Sequence, residues 1–115
     1  MPYYEHTFIA RPDLTPQQAQ ALAEELAKLV EERGGRIAKN EYWGLRTLAY
    51  RIKKHRKGHY LHLRMDAPKD LVREIEERER FNEDILRFLT VKVAALSEEP
   101  SPILAGRGGR EERRR

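Results

Sequence analysis

Three histidines close together in the chain, His55, His59 and His62, are the first side chains to suggest chemistry, because imidazoles at short spacing can bind a metal ion. On a strand, residues three positions apart point to opposite faces, so His59 and His62 are poorly placed to chelate one ion. No carboxylate has the spacing to complete a ligand set, and the chain has no cysteine. We therefore predict surface or hairpin histidines, with no metal and no cofactor.

The other residues form no arrangement of a known catalytic type. A phosphate-binding arginine needs a glycine-rich loop, whereas Arg11 follows the first predicted strand in a segment, residues 10–13, that has no glycine. The Glu and Arg runs of the predicted helices are spaced three and four positions apart. That spacing is typical of solvated ion-pair faces rather than of paired catalysts. The sequence therefore predicts a protein that is not an enzyme.

A run of positive charge is the strongest chemical feature. Between Arg51 and Tyr60 the chain has five full positive charges, two histidines and no acid. Such a cluster repels itself unless an anion neutralises it. A solvated surface run is one explanation. The aromatic neighbours favour nucleic acid, because cations neutralise phosphates while aromatic planes stack on bases. The cations are Arg51, Lys53, Lys54, Arg56 and Lys57, and the aromatic neighbours are Tyr42, Trp43, Tyr50 and Tyr60.

The totals place these residues in one domain. The chain has 115 residues, of which 37% are charged, and a formal net charge of +4. No apolar run approaches the roughly 20 residues that span a bilayer. The N-terminal segment MPYYEHTF lacks the pattern of a signal peptide. We expect a soluble, cytoplasmic protein with one domain at residues 1–96 and a flexible, Arg- and Gly-rich tail at residues 97–115.

Local patterns before the basic run predict a strand and a helix. Residues 3–10 are aromatic and β-branched, which indicates a first strand. Thr15 and Gln18 have the spacing of a capping box, with Pro16 at the first helical position, and they predict the start of a helix. Gly34 and the glycine after it predict its end.

The basic run itself lies within a predicted hairpin. Residues 35–66 alternate apolar and polar side chains, which predicts two strands joined by a basic tip. Gly58 is predicted to mark the turn, and Gly44 is predicted to form a bulge or a bend rather than to end the strand. Pro68 then predicts the start of a second helix, and residues 85–93 predict a final strand.

The order strand, helix, strand, strand, helix, strand predicts two interleaved strand–helix–strand units. Such units build a ferredoxin-like α+β sandwich, in which two helices cover one face of a four-stranded antiparallel sheet. The open face would carry an apolar patch of Ile9, Leu89 and Val91, suited to a protein partner. RNA-recognition motifs share this fold, but His59 and Leu61 stand where their stacking aromatic residues belong, so that match fails.

Several short motifs carry a family resemblance. The most specific is WGLRTLAYRI at residues 43–52, followed by Lys54 and by GHY at residues 58–60. The pairs YE, FI and GG, the triplet PDL near the first strand, and the segments NEDILR and LTV near the last strand continue it. Together they resemble the bacterial small-subunit ribosomal protein six family over about residues 3–93.

The resemblance implies a structural, non-catalytic role in the small ribosomal subunit. Members bind the central domain of the small-subunit ribosomal RNA as a heterodimer with ribosomal protein eighteen. By position, it implies RNA-facing or partner-facing roles for Arg46, Arg51 and Lys54, and also for Tyr4 and Arg87. The charge pattern adds Lys53, Arg56 and Lys57 to the RNA-binding candidates. The partner-binding candidates are Ile9, Trp43, Leu45, Tyr50, Leu89 and Val91.

The chain departs from the family pattern in two places. Glu79 replaces an apolar residue, which predicts a weakly packed second helix. Residues 111–115 end in arginines, whereas some relatives have a glutamate-extended end, and Ile103 with Leu104 could fold onto the partner or RNA. Two other functions fit the same fold. One is a stand-alone regulator that binds single-stranded RNA, and the other is a protein-interaction module without RNA dependence.

Overall fold

A computed structural model describes residues 2–96 of the chain. The predicted ferredoxin-like order is confirmed, and the four strands form one antiparallel sheet in the order β2-β3-β1-β4. The predicted tail at residues 97–115 lies outside the described residues. The elements are β1 Tyr3–Ala10, α1 Pro16–Glu32, β2 Arg36–Ile52, β3 His55–Asp66, α2 Lys69–Arg80 and β4 Ile85–Val93.

Helix α1 begins and ends where its local sequence predicts. The Thr15 side chain accepts a hydrogen bond from the Gln18 amide, and the Gln18 side chain accepts one from the Thr15 amide, at 3.0 and 2.9 Å. This capping box satisfies two amides that have no partner within the helix. Gly34 follows the helix with φ +86°, a left-handed conformation that glycine adopts without steric cost.

The main core lies between the helices and one face of the sheet. Alternate residues of the central strands point into it, including Phe8 of β1 and Leu61 and Leu63 of β3, all three with no exposed surface. Helix α1 packs against them with residues at helical spacing, such as Ala19 and Val30. Neither helix of the described residues covers the other face of the sheet, and this face carries the candidate site.

Glu79 does not leave a gap in α2. Its side chain is 1% exposed and faces the sheet, together with the apolar residues Leu71, Val72 and Ile75 of the same helix. A hydrogen bond with His6 of β1 holds the carboxylate at 2.7 Å. The expectation of weak packing at this position is therefore not supported, because a polar partner replaces the missing apolar contact.

Within residues 2–96 no helix has the length and apolar character needed to cross a membrane.

Candidate nucleic-acid and partner interface

The hairpin turn lies at Lys53 and Lys54, and the prediction that Gly58 marks it is wrong. Ile52 pairs with His55, and the two lysines between them have φ +48° and +73°. Positive φ at both central residues is typical of the tight turn that matches the twist of a hairpin, although Asn and Gly are the usual residues there. Two lysines at the outermost point of the hairpin therefore occupy a conformation that costs backbone energy.

Gly58 instead allows close packing inside the sheet. It lies within β3, opposite Arg46 of β2, and is buried. A Cβ atom here would overlap the Ile9 side chain and would lie 3.1 Å from the Ala10 carbonyl oxygen. Glycine is therefore required by the approach of another side chain, which a local turn pattern does not predict.

The cations of the hairpin tip are free and accessible. All five are exposed, and none forms an ion pair with another residue of the described part of the chain. The tip therefore presents a concentrated positive field that no acid between positions 2 and 96 neutralises through an ion pair. These residues are Arg51, Lys53, Lys54, Arg56 and Lys57.

A wide irregularity bends the hairpin over the open face of the sheet. Pairing passes from Thr47 opposite Lys57 directly to Ile52 opposite His55, so residues 48–51 form an arch. The arch turns Leu48 inward, where its side chain packs in a second apolar cluster with Ile9 and Leu86. In the same arch Tyr50 points outward and is 81% exposed.

An apolar groove of about 320 Å³ lies between this arch and strand β4. Its walls come from the second apolar cluster and from the exposed face of β4, and most of the groove surface is apolar. Arg87 is the one full positive charge among the described residues of its lining. The lining residues are Thr7, Ile9, Leu48, Ala49, Tyr50, Ile52, Tyr60, Arg87, Phe88 and Leu89.

The structure brings most of the predicted partner-binding residues to this face. Tyr50 and Leu89 line the groove, and Leu89 is 63% exposed. Val91 follows two positions further along β4 and is 47% exposed. Ile9 lies in the groove floor but is only 8% exposed, because Leu48 covers it. The predicted apolar patch of Ile9, Leu89 and Val91 therefore exposes mainly Leu89 and Val91.

Leu45 is separate from this surface. It is 48% exposed, but it pairs with His59, whose ring bonds to the Leu14 carbonyl on the helix-covered side. Paired residues of an antiparallel sheet share a face, so Leu45 lies on the opposite face from the groove. We therefore leave it out of the proposed partner surface.

Tyr4, a predicted RNA-binding residue, is mostly buried. Its side chain is 8% exposed and belongs to the main core, opposite Met65 of β3. By contrast, Arg46 and Arg87 are exposed, and Arg46 Nε donates a hydrogen bond to the Trp43 carbonyl at 3.1 Å. Arg87 pairs with Ile9 and therefore lies on the open face. Seven of the eight predicted RNA-binding residues thus remain available to solvent.

Trp43 is held in a stacked arrangement on the open face. The bulge at Gly44, predicted from sequence and confirmed by a register shift with φ +99°, places Trp43 as the extra residue. Its ring stacks on His62 with centroids 4.7 Å apart, and its Nε1 donates to Glu41 at 2.9 Å. Tyr60 lies nearly parallel to it at 6.5 Å.

Three histidines are buried, and two of them, His59 and His62, lie in the predicted hairpin but not at its surface. His6, His59 and His62 are 1%, 2% and 4% exposed. His59 Nε2 donates to the Leu14 carbonyl at 2.8 Å, and its Nδ1 accepts from the Tyr42 hydroxyl at 2.7 Å. Burial lowers the pKa of His62. The described residues contain no group of His and acidic side chains that could hold a metal ion.

The His6–Glu79 pair is the most deeply buried polar contact. His6 Nε2 donates to Glu79 Oε1, and its Nδ1 accepts from the Thr90 hydroxyl, both at 2.7 Å. Burial raises the pKa of Glu79, and the hydrogen bond with His6 opposes this shift. Glu79 Oε2 has no hydrogen-bond partner among residues 2–96. From the sequence, the pair is predictable only if each inward polar residue of α2 is matched with the inward polar residues of β1.

Comparison with known proteins gives a consistent result. A family model described as ribosomal protein S6 matches residues 3–92. The small ribosomal subunit protein bS6 of Caulobacter vibrioides is 58% identical over 117 aligned positions, which cover 100% of this chain and 93% of that protein. The protein of the same name from Hyphomonas neptunium is 50% identical, covering 100% of this chain and 99% of that protein.

A solved structure agrees with these sequence matches. The crystal structure of a 30S ribosomal protein S6 from Thermotoga maritima superposes with a TM-score of 0.74 and 32% sequence identity. The match covers 80% of this chain and 87% of that one. The same fold and a related sequence therefore occur together in that protein.

Proposed function

The chain belongs to the ribosomal protein S6 family of the small ribosomal subunit, and from this premise we propose that it binds the central domain of the small-subunit ribosomal RNA as a heterodimer with ribosomal protein eighteen. It is a ribosomal protein and not an enzyme. The observation that carries the proposal is the position of the free cations of the hairpin tip beside an accessible apolar groove. One end of the molecule thus offers both a cationic surface suited to bind RNA and an apolar surface suited to bind a protein.

Electrostatics supports the RNA half of the proposal. The tip concentrates five exposed cations that form no ion pair within the described residues, whereas the whole chain has a net charge of +4. Several other positive charges are offset by nearby acids, as in the Arg33–Glu74–Arg78 ion pairs at 3.0 Å. Binding should therefore depend on the tip rather than on overall charge, and Arg46 and Arg87 extend the same surface.

The groove supports the partner half. Leu89 and Tyr50 are large, exposed and adjacent to the groove, which is the usual composition at the centre of a protein interface. Because the chain is only modestly basic, it should bind RNA weakly by itself. A partner seated on the groove would add basic surface beside the tip, and the two proteins would then bind RNA together.

The aromatic residues of the open face do not favour a stand-alone regulator of single-stranded RNA. Such proteins stack bases on exposed rings. Here one face of Trp43 is occupied by His62, and Tyr60 is half-buried beside it. The accessible stacking surface is therefore small compared with the charged tip.

Removal of charge from the tip tests the proposal. The variant Lys54→Gln with Arg56→Gln and Lys57→Gln should weaken binding of the heterodimer to a central-domain RNA fragment by about tenfold or more near 0.1 M salt. The slope of log affinity against log salt should fall by about 2 to 3, because roughly one counterion is released for each phosphate contact. The measurement is a binding titration at several salt concentrations.

A matched control removes the same charge from the helices. Lys28, Lys69 and Arg73 are exposed cations without an ion pair among the described residues, and changing all three to Gln should leave the salt slope nearly unchanged. Equal losses in the two triple variants would mean that only net charge matters. Tight RNA binding by the pure protein, with no gain from ribosomal protein eighteen, would contradict the heterodimer.

A further inference from the structure

A second group of cations lies where the hairpin tip meets the end of α2 and the start of β4. Lys53, Arg80 and Arg87 line one concave surface of about 220 Å³. They come from three different elements, and Arg80 belongs to none of the RNA-binding or partner-binding sets predicted from sequence. The remaining lining residues are Glu79, Ile85, Leu86 and Phe88.

The positive charge of this concave surface is largely unopposed. Lys53 and Arg87 form no ion pair with any residue between positions 2 and 96. Arg80 has an exposed contact with Glu77 at 3.5 Å, which is long and open to solvent and therefore easily replaced. Glu79 is the acid in the lining, and its Oε1 is bonded to His6. Burial raises the pKa of Glu79, because it disfavours the charged carboxylate.

We infer that the pocket formed by Lys53, Arg80 and Arg87 binds one phosphate group of an RNA backbone, an inference that rests on the proposed RNA-binding function. Guanidinium groups bind phosphate oxygens with two parallel hydrogen bonds, and the lysine adds a point charge. A concave site with cations on several sides can surround a phosphate more completely than the convex tip can. Side-chain amides of Gln would keep the shape of the pocket but not its charge.

The position of the pocket relative to the groove strengthens this assignment. Arg87 and Phe88 line both the pocket and the apolar groove, so the two sites share a wall. A phosphate in the pocket would lie at the boundary between bound RNA and a protein seated in the groove. On this arrangement the RNA strand runs from the tip, along the pocket beside Lys53, to the partner protein.

The test compares three variants that each remove two positive charges. They are the pocket variant Arg80→Gln with Arg87→Gln, the tip variant Lys54→Gln with Lys57→Gln, and the control Lys28→Gln with Arg73→Gln. Each is titrated, as the heterodimer with ribosomal protein eighteen, against a central-domain RNA fragment at several salt concentrations. The pocket variant should lose about tenfold in affinity and about 1 to 2 in salt slope relative to the control.

Two further measurements separate RNA from protein contacts. Arg80 lies outside the groove, so Arg80→Gln alone should weaken RNA binding several-fold while heterodimer formation without RNA stays unchanged. If instead the pocket variant weakens heterodimer formation and not RNA binding, the pocket belongs to the protein interface and the inference is overturned.

The failure of the inference is distinct from failure of the proposed function. If the tip variant loses RNA affinity and the pocket variant equals the control, the pocket binds no phosphate although the tip does bind RNA. If neither variant differs from the control, both the inference and the proposed RNA-binding surface are wrong. Thermal unfolding of every variant verifies that these exposed substitutions leave the fold intact.

Discussion

A buried carboxylate and a buried imidazole join the end of α2 to strand β1. Glu79 and His6 are 73 positions apart in the chain, and each is almost inaccessible to solvent. A buried polar group without a partner is costly, so each residue is tolerable chiefly because the other is present. Thr90 completes the arrangement by bonding to the second nitrogen of His6. The pair fixes the orientation of α2 where an apolar contact would otherwise do so.

Breaking this pair should destabilise the protein more than replacing it. Glu79→Leu alone leaves His6 Nε2 without a partner and should lower the free energy of unfolding by about 1–3 kcal/mol. The double variant His6→Phe with Glu79→Leu removes both polar groups, and it should recover most of that loss or exceed the original stability. Chemical denaturation of the single and double variants measures both effects.

Glu77→Leu on the exposed side of the same helix is the control, and it should change stability by less than about 0.5 kcal/mol. Additive losses from His6→Phe and Glu79→Leu would show that the two side chains do not interact in the folded protein.

At the scale of an element, the hairpin turn retains lysines where the backbone favours other residues. Lys53 and Lys54 have positive φ, a region that costs a residue with a Cβ about 1–2 kcal/mol. Asn followed by Gly would form this turn with less strain. The two lysines supply two of the five positive charges of the tip. The turn is therefore less stable than one built from Asn and Gly, but it carries more positive charge. Such strain is typical of functional sites.

Substitution of the turn should therefore raise stability while it lowers RNA binding. The variant Lys53→Asn with Lys54→Gly should unfold with a free energy about 1 kcal/mol higher than Lys53→Gln with Lys54→Gln, which removes the same charge but retains the strain. Both variants should lose RNA affinity to a similar degree. Denaturation curves and RNA titrations of this matched pair make the comparison, and equal stabilities would show that the turn is unstrained.

At the scale of the whole molecule, the two faces of the sheet have different surroundings. One face packs on the helices and forms the main core, and the other carries the second apolar cluster under the hairpin arch. The arch places Leu48 over Ile9 and forms one wall of the groove on the open face of the sheet. The proposed partner surface therefore depends on the hairpin and β4 together, and not on either element alone.

A polar substitution in the groove should weaken the heterodimer without unfolding the protein. Leu89 is 63% exposed, so Leu89→Gln should change stability by less than about 0.5 kcal/mol. It should lower the affinity for ribosomal protein eighteen by about tenfold, because the loss of one apolar contact costs roughly 1.5 kcal/mol. Titration calorimetry without RNA measures the affinity.

Phe81 supplies the control for this measurement, since it is 77% exposed at the end of α2 and is not part of the groove lining. Phe81→Gln should leave the heterodimer affinity unchanged. If it reduces affinity as much as Leu89→Gln does, the partner does not bind in the groove.

The site was only partly predictable from sequence. The exposed cations of the tip could be identified because charge is visible in the residue types and because the hairpin pattern is local. The burial of Tyr4 and the sheet face of Leu45 could not be predicted, because the side of the sheet on which a residue lies depends on which strands and helices pack against it. Arg80 was not among the candidates, since only folding brings it near Lys53 and Arg87.

The sequence by itself determined the order of elements, the capping of α1, the bulge at Gly44 and the positive tip, because each depends on residues a few positions apart. Tertiary structure alone decided the contacts between distant segments: the His6–Glu79 pair, the packing of Leu48 on Ile9, and the groove and pocket beside the tip. Local conformation follows from short-range sterics and hydrogen bonding, whereas a binding surface depends on which distant side chains the packed sheet brings into contact.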